Sequence, residues 1–213
     1  SDVCSSDLEW VVLGYLLSIA VWIPSSGWIG DRLGTKRTFL FALFVFTAAS
    51  ALCATAGTLG EIIAFRILQG VGGGMLTPVG TAMLYRAFPP EERARASTVL
   101  VVPTVIAPAL GPIFGGLLIE HLSWHWIFLV NIPIGVLGFL FGYMYLEENK
   151  EPNAGSFGIP GFLLAATGLA TLLYALSQGP DKGWLSGPVL STGIAGVVLL
   201  SALIRVEMAS PSP

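Results

Sequence analysis

The chain has 213 residues, of which 54% are hydrophobic and only 11% are charged, and its mean hydropathy is +0.79. Soluble domains carry about 25% charged residues, so most of this surface has to face lipid rather than water. The net charge of −3 offers no basic surface that would suit nucleic acid, and two cysteines make neither a disulfide framework nor a metal site.

Seven apolar segments follow one another along the chain, and each approaches the length of about 20 residues that crosses a bilayer. Short connections separate them, so neighbouring segments should run antiparallel. The segments are residues 10–29, 38–56, 59–85, 96–119, 126–146, 159–177 and 188–204. The sequence therefore predicts an all-α polytopic membrane protein, a helical bundle with about seven transmembrane helices.

The connection between the first two segments, GWIGDRLGTKR at residues 27–37, combines three glycines with four charges. Lipid excludes such charges, while glycines let the backbone turn tightly and let helices approach closely. The residues are Gly27, Gly30, Gly34, Asp31, Arg32, Lys36 and Arg37. We expect a membrane hairpin with a basic cytoplasmic tip.

The basic residues set the orientation, because lysine and arginine concentrate in cytoplasmic loops. With residues 27–37 inside, most of the basic residues lie on the cytoplasmic side: Arg32, Lys36, Arg37, Arg86, Arg93, Arg95, Lys150 and Arg205. Lys182 then lies outside. The distribution predicts a multi-pass protein of the plasma (inner) membrane, with the N-terminus of this chain outside and its C-terminus cytoplasmic.

Arg66 lies within the third segment, in EIIAFRILQGVGGGMLTP. A lone arginine at the centre of a membrane helix costs about 2.5 to 3.5 kcal/mol on insertion scales. Arg66 should therefore face a polar cavity or a partner, and Gln69 offers an amide three residues later. Gly70 and the glycines at 72–74 allow a close helix crossing or a flexing point. The alternative is that Arg66 only reaches to the membrane surface.

The fourth segment contains APALGPIFGG at residues 107–116, in which prolines and glycines alternate. Proline removes a helical hydrogen bond and kinks the helix, and the small residues form a groove for a neighbouring helix. The residues are Pro108, Gly111, Pro112, Gly115 and Gly116. The pattern predicts a kinked helix, either as a moving part or only as a packing feature.

Three motifs resemble those of the major facilitator superfamily, in the order in which that family has them. Residues 27–37 match the signature loop between its second and third helices at every position. The sequence R-x-x-Q-G-x-G from Arg66 resembles its fourth-helix motif, where the arginine is implicated in proton coupling. Residues 107–116 resemble the fifth-helix motif of its antiporters. The resemblance implies a transporter that works by alternating access.

Residues 123–135, SWHWIFLVNIPIG, resemble the loop and the start of the sixth helix in the fourteen-helix drug:proton antiporter branch of this family. That branch usually has arginine where His125 stands. The resemblance implies efflux of amphipathic drugs in exchange for protons, with Arg66 and Gln69 in proton coupling or the cavity and residues 27–37 as a cytoplasmic gate. It implies no bound cofactor, a proton gradient as energy source, and substrate and membrane lipid as partners.

The branch carries its acidic coupling residue on the first helix, and no carboxylate lies deep within any segment of this chain. We therefore interpret the chain as an internal fragment. Its predicted parts are a non-native tail at 1–8, an N-terminal bundle without its first helix at 9–146, a cytoplasmic linker at 147–158, two additional central helices at 159–206 and a truncated tail at 207–213.

Other interpretations have less support. An exporter of a lipid, siderophore or metabolite could use the same scaffold, and the piece alone could transport nothing. An intramembrane enzyme is not expected, because the sequence has no H-E-x-x-H, no G-x-S-x-G and no paired intramembrane aspartates. His121 and His125 are spaced for a metal clip on a helix, but no third ligand is evident, so we expect no metal site.

Overall fold

The computed structural model describes residues 2–151, 155 and 157–209, and the side chains of 9–151, 155 and 157–208. These residues form eight helices joined by short connections. The helices are α1 (Asp2–Leu33), α2 (Thr35–Thr55), α3 (Leu59–Ala87), α4 (Pro90–His121), α5 (Trp126–Leu129), α6 (Asn131–Tyr145), α7 (Ile159–Lys182) and α8 (Gly187–Ala209).

Seven helical stretches in the described part of the chain are long and apolar enough to cross a membrane. Each corresponds to one predicted segment, with α5 and α6 together forming the fifth. The prediction of an all-α membrane protein with about seven spans is confirmed. Successive spans alternate in direction, so the connections lie at two ends of the bundle. We call these the Gly34 end and the Trp124 end, after a residue in one connection at each.

Two predicted connections proved shorter than the sequence indicated. Residues 27–37 are almost entirely helical, because α1 continues to Leu33 and α2 begins at Thr35. Gly34 alone reverses the chain, with a φ of 107° that favours glycine. The connection between the third and fourth segments, residues 86–95, is reduced to two residues, since α3 continues to Ala87 and α4 begins at Pro90. Helical hydrogen bonding thus continues through charged turns that lie beyond the apolar segments.

The centre of the bundle is α3, which lies between α1 and α2. Of the α3 glycines, Gly70 faces α1 and Gly72 faces α2. A Cβ atom added at Gly70 would lie 2.6 Å from the Ser18 Cβ atom of α1, and one at Gly72 would lie 2.6 Å from the Phe46 backbone nitrogen of α2. These distances are far below ordinary van der Waals contact. The close helix crossing predicted for these glycines is therefore confirmed.

The remaining helices surround this centre. α6 packs against α2, and α7 packs against both α1 and α8. Trp10 of α1 lies 6.1 Å from Tyr174 of α7, between ring centroids. Near the other end of α1, the Trp28 indole N–H donates a 2.8 Å hydrogen bond to the Gly155 carbonyl, and the Trp28 and Phe157 rings are 4.9 Å apart. The α6–α7 connection and α7 therefore lie along α1.

α4 makes few contacts with the other helices. The structure describes all of its residues and none of them is buried. Together with α2 and α3 it borders an open groove of about 430 Å³. α4 thus presents most of its apolar surface to the surroundings.

Candidate functional site

Arg66 lies on the third turn of α3, about 10 Å along the axis from the start of the helix. The helix begins with a capping box, in which the Thr58 hydroxyl accepts from the Glu61 backbone N–H and the Glu61 carboxylate accepts from the Thr58 N–H, both at 3.2 Å. Because the cap fixes where the helix begins, it also fixes the direction in which Arg66 projects. Arg66 is half-buried and lies towards the Trp124 end.

The Arg66 guanidinium is held by groups of four other residues. Its carbon lies 3.9 Å from the centre of the Tyr15 ring and 5.8 Å from that of Phe128. Its Nε donates to the Val11 carbonyl at 3.4 Å, and its Nη1 donates to the Gln69 Oε1 at 2.6 Å. Aromatic faces and oxygen acceptors stabilise a cation inside the bundle. The guanidinium thus contacts α1, α5 and its own helix.

Gln69 continues the polar contacts into the centre of the bundle. It is buried, and its Nε2 donates to the Ser50 Oγ at 3.1 Å. Asn131, the first residue of α6, donates to the same Oγ at 3.0 Å, and the Ser50 hydroxyl donates to the Phe128 carbonyl at 3.0 Å. We call Arg66, Gln69, Ser50 and Asn131 the Arg66 cluster. It joins α2, α3 and α6, and its bond to the Phe128 carbonyl reaches α5.

Sequence reasoning brought together Arg66 and Gln69, but it did not identify Ser50 or Asn131. Ser50 is a polar residue within an apolar run, and Asn131 lies inside the quoted SWHWIFLVNIPIG sequence. Either could have been noted as a polar residue in a membrane span, where such residues need partners. His125 of the same sequence stacks on Trp124 at 3.8 Å between ring centroids. Among the described residues, no group of side chains is suited to hold a metal ion.

The charged residues at the Gly34 end contact residues of the same bundle. Asp31 of α1 accepts from Arg86 at the end of α3 at 2.6 Å, and both side chains are partly exposed. Arg37 lies 3.3 Å from the Glu148 carboxylate, and the Lys36 Nζ donates to a backbone carbonyl of α6 at 2.8 Å. Asp31 and Arg86 therefore connect α1 to α3.

The other residues of the predicted gating loop differ in their surroundings. Gly27 and Arg32 are exposed, whereas Gly30 and Gly34 are buried. Glu148 lies against Gly34, and its carboxylate accepts from the Lys36 backbone N–H at 3.1 Å, which caps the start of α2. The connection after α6 is thus docked on this turn. Backbone bonds support it, since the Thr35 N–H donates to the Asn149 carbonyl at 2.9 Å.

The predicted kink motif lies in the middle of α4. The helix continues through Pro108 and Pro112, and neither proline ends it. A Cβ atom added at Gly111, Gly115 or Gly116 would meet no heavy atom within 4 Å in the described part of the chain. The glycines therefore form an open, small-residue surface there. The roles of this motif in kinking and in export stay predictions.

Comparison with known proteins places these features in a family. The sequence model of the Major Facilitator Superfamily matches residues 4–206. A protein of Serratia proteamaculans named for multidrug resistance, MdtD, is 40% identical over 194 residues, which cover 91% of this chain and 40% of that protein. MdtD proteins of Salmonella paratyphi B and Salmonella newport are 40% identical over 195 residues, or 90% of this chain and 41% of theirs.

The chain thus spans about two fifths of the length of the curated relatives that it matches. The family model's match at residues 4–206 contains the turn at Gly34, Arg66 on α3 and the proline–glycine helix α4. This chain belongs to the major facilitator superfamily.

Proposed function

We propose that this chain forms part of a membrane transporter that exports amphipathic drugs in exchange for protons by alternating access. The single observation that carries the proposal is the half-buried Arg66, whose charge is held inside the bundle by Tyr15, the Val11 carbonyl and Gln69. The relatives named for multidrug resistance support drugs as the cargo.

Arg66 suits proton coupling because its charge acts on any carboxyl group that approaches it. A fixed positive charge favours the ionised form of a nearby carboxyl and so promotes release of its proton. In the described part of the chain, the ion pairs join Arg37 to Glu148 and Arg86 to Asp31, and neither includes Arg66. Arg66 is therefore available to an acidic residue of the complete transporter or to the substrate.

The Gly34 end suits the cytoplasmic side of the membrane, because basic residues concentrate there. On this assignment, the Trp124 end and Arg66 lie nearer the outside. Asp31 and Arg86 would form part of the cytoplasmic gate, and the motion would be a rocking of helical bundles about a central cavity. The gate would open when contacts at this end are broken.

The proposal is tested in the complete coding sequence that contains this chain, expressed in an efflux-deficient bacterial strain. A fluorescent lipophilic cation is added outside everted vesicles, and its uptake is followed while a proton gradient is applied and then collapsed with an uncoupler. We expect gradient-dependent transport that Arg66→Ala abolishes while the protein still inserts. Arg95→Ala is the matched control, since Arg95 is exposed near the start of α4, and it should leave transport intact.

Two results would contradict the proposal. Transport that persists unchanged in Arg66→Ala removes this arginine from the mechanism. Transport of lipids or metabolites, with no lipophilic cation among the cargoes of a substrate panel, leaves an exporter on the same scaffold but removes drugs as its substrates.

A further inference from the structure

The hydrogen bonds of the Arg66 cluster have one possible direction, which is set by the two groups at its ends. A guanidinium can only donate and a backbone carbonyl can only accept. At one end Arg66 donates to Gln69 at 2.6 Å, and at the other the Phe128 carbonyl accepts from Ser50 at 3.0 Å. Every bond between these ends must therefore run from Arg66 towards Phe128.

Ser50 decides which way the amide of Gln69 is turned. Its single hydroxyl hydrogen is used by the Phe128 carbonyl, so its Oγ can only accept from the two amides that approach it. Gln69 must then present its NH₂ group to Ser50, which leaves its Oε1 facing Arg66. With the amide reversed, its NH₂ group would face the donors of Arg66 and its Oε1 would face the Ser50 Oγ, which can only accept, so both bonds would be lost.

Asn131 provides the link to the corner between α5 and α6. Its Nδ2 donates to Ser50 at 3.0 Å, so the Ser50 hydroxyl makes three hydrogen bonds and has no capacity left. Ser50 is completely buried, and water cannot replace a missing partner there without entering the bundle. The position of Asn131 at the start of α6 is therefore transmitted to Arg66 through two intervening side chains.

We propose that Ser50 and Asn131 are positioning residues for Arg66, which hold the Gln69 amide in the orientation that fixes the guanidinium. The proposal rests on the proposed role of Arg66 in transport. It gives the sequence SWHWIFLVNIPIG a function, because this sequence supplies both the Phe128 carbonyl and the Asn131 amide. Ser50 and Asn131 do not themselves contact the substrate in this mechanism; they act through Gln69.

The first experiment measures dye transport by the complete transporter, per inserted molecule, in Ser50→Ala, Asn131→Leu and Gln69→Leu. We expect each variant to lower the maximal rate about tenfold, the factor that loss of one buried hydrogen-bond partner produces. The KM for the dye should stay within about twofold, because a positioning defect slows turnover and not binding. Ser50→Ala combined with Gln69→Leu should be no slower than Gln69→Leu alone.

Thr55→Val is the matched control, since Thr55 lies on the same helix as Ser50, is exposed, and its hydroxyl donates to the Leu52 carbonyl of that helix. It should leave rate and KM unchanged. Rates per inserted molecule that equal the wild type in Ser50→Ala and Asn131→Leu, or losses that add fully in the double variant, would overturn the proposal.

A second experiment needs no transport, so it separates this proposal from the proposed function. It measures thermal unfolding of the purified complete protein in Ser50→Ala, in Arg66→Ala and in their combination. The combined loss of melting temperature should be smaller than the sum of the two single losses, and this coupling should vanish in a Gln69→Leu background. Fully additive losses would refute the positioning role. A wild type that exports no dye but shows the coupling refutes only drug export.

Discussion

Gly70 is a position where the bundle should tolerate a methyl group poorly. An alanine Cβ atom there would lie 2.6 Å from the Ser18 Cβ atom and 2.8 Å from the Tyr15 carbonyl oxygen. Carbon atoms in ordinary contact are about 3.5 Å apart, so α1 and α3 would have to separate by about 0.9 Å. The separation would also strain the 2.7 Å hydrogen bond from the Ser18 hydroxyl to the Ile67 carbonyl.

Overpacking of this kind costs about 1 to 3 kcal/mol. Alanine also gains about 1 kcal/mol over glycine as a helix former, which hides part of the cost. Gly60→Ala separates the two effects, because Gly60 lies on the same helix and a Cβ atom there would meet no described heavy atom within 4 Å. The difference between the two variants then reports the overpacking at Gly70.

The assay is thermal unfolding of the purified protein in detergent. One kcal/mol shifts the melting temperature of a protein of this size by about 2 to 4 °C, so Gly70→Ala should melt about 2 to 12 °C below Gly60→Ala. A Gly70→Ala protein that melts as high as Gly60→Ala would refute the close contact between α1 and α3.

Other predictions concern the Gly34 end. Asp31→Asn breaks the ion pair with Arg86. Because both side chains are partly exposed, we expect the free energy of unfolding to fall by less than about 1 kcal/mol, while transport should be clearly reduced. A large drop in melting temperature would contradict a gating role. Gly34→Ala forces alanine into a positive-φ conformation outside the left-handed helical region, and thermal unfolding should show a loss of about 1 to 3 kcal/mol. Glu148→Ala removes the carboxylate that accepts from the Lys36 backbone N–H, so a protease should cleave the α6–α7 connection faster. Glu147→Ala is the control. Equal cleavage rates in the two variants would show that this bond does not hold the connection in place.

Much of the fold follows from the sequence because lipid imposes a strict rule on length and polarity. Each apolar segment became a span, and Gly70 and Gly72 are found where helices touch. The ends were harder to predict. α1 and α4 continue through charged turns that apolarity does not mark, because the helix requires only backbone hydrogen bonds and not apolar side chains.

The site was only half predictable for a different reason. Gln69 lies three residues from Arg66, so helical spacing alone places them together. Ser50 and Asn131 are 81 residues apart, and their contact depends on how α2 and α6 are rotated against each other. Glu148 likewise meets Lys36 across 112 residues. Periodicity within a segment carries no information about such pairs.

The contact of α1 with α7 at Trp10, and its contact at Trp28 with the connection that precedes α7, have a mechanical consequence. Trp10 and Trp28, which mark them, are 18 residues apart on one helix, or about 27 Å along its axis. If α7 pivoted about Trp10 by about 10°, the far attachment would open by about 5 Å over that lever arm, more than the bond from Trp28 to Gly155 can stretch. Such a motion would break the bond from Trp28 to Gly155, so we expect α7 and α8 to move together with α1 as one rigid unit.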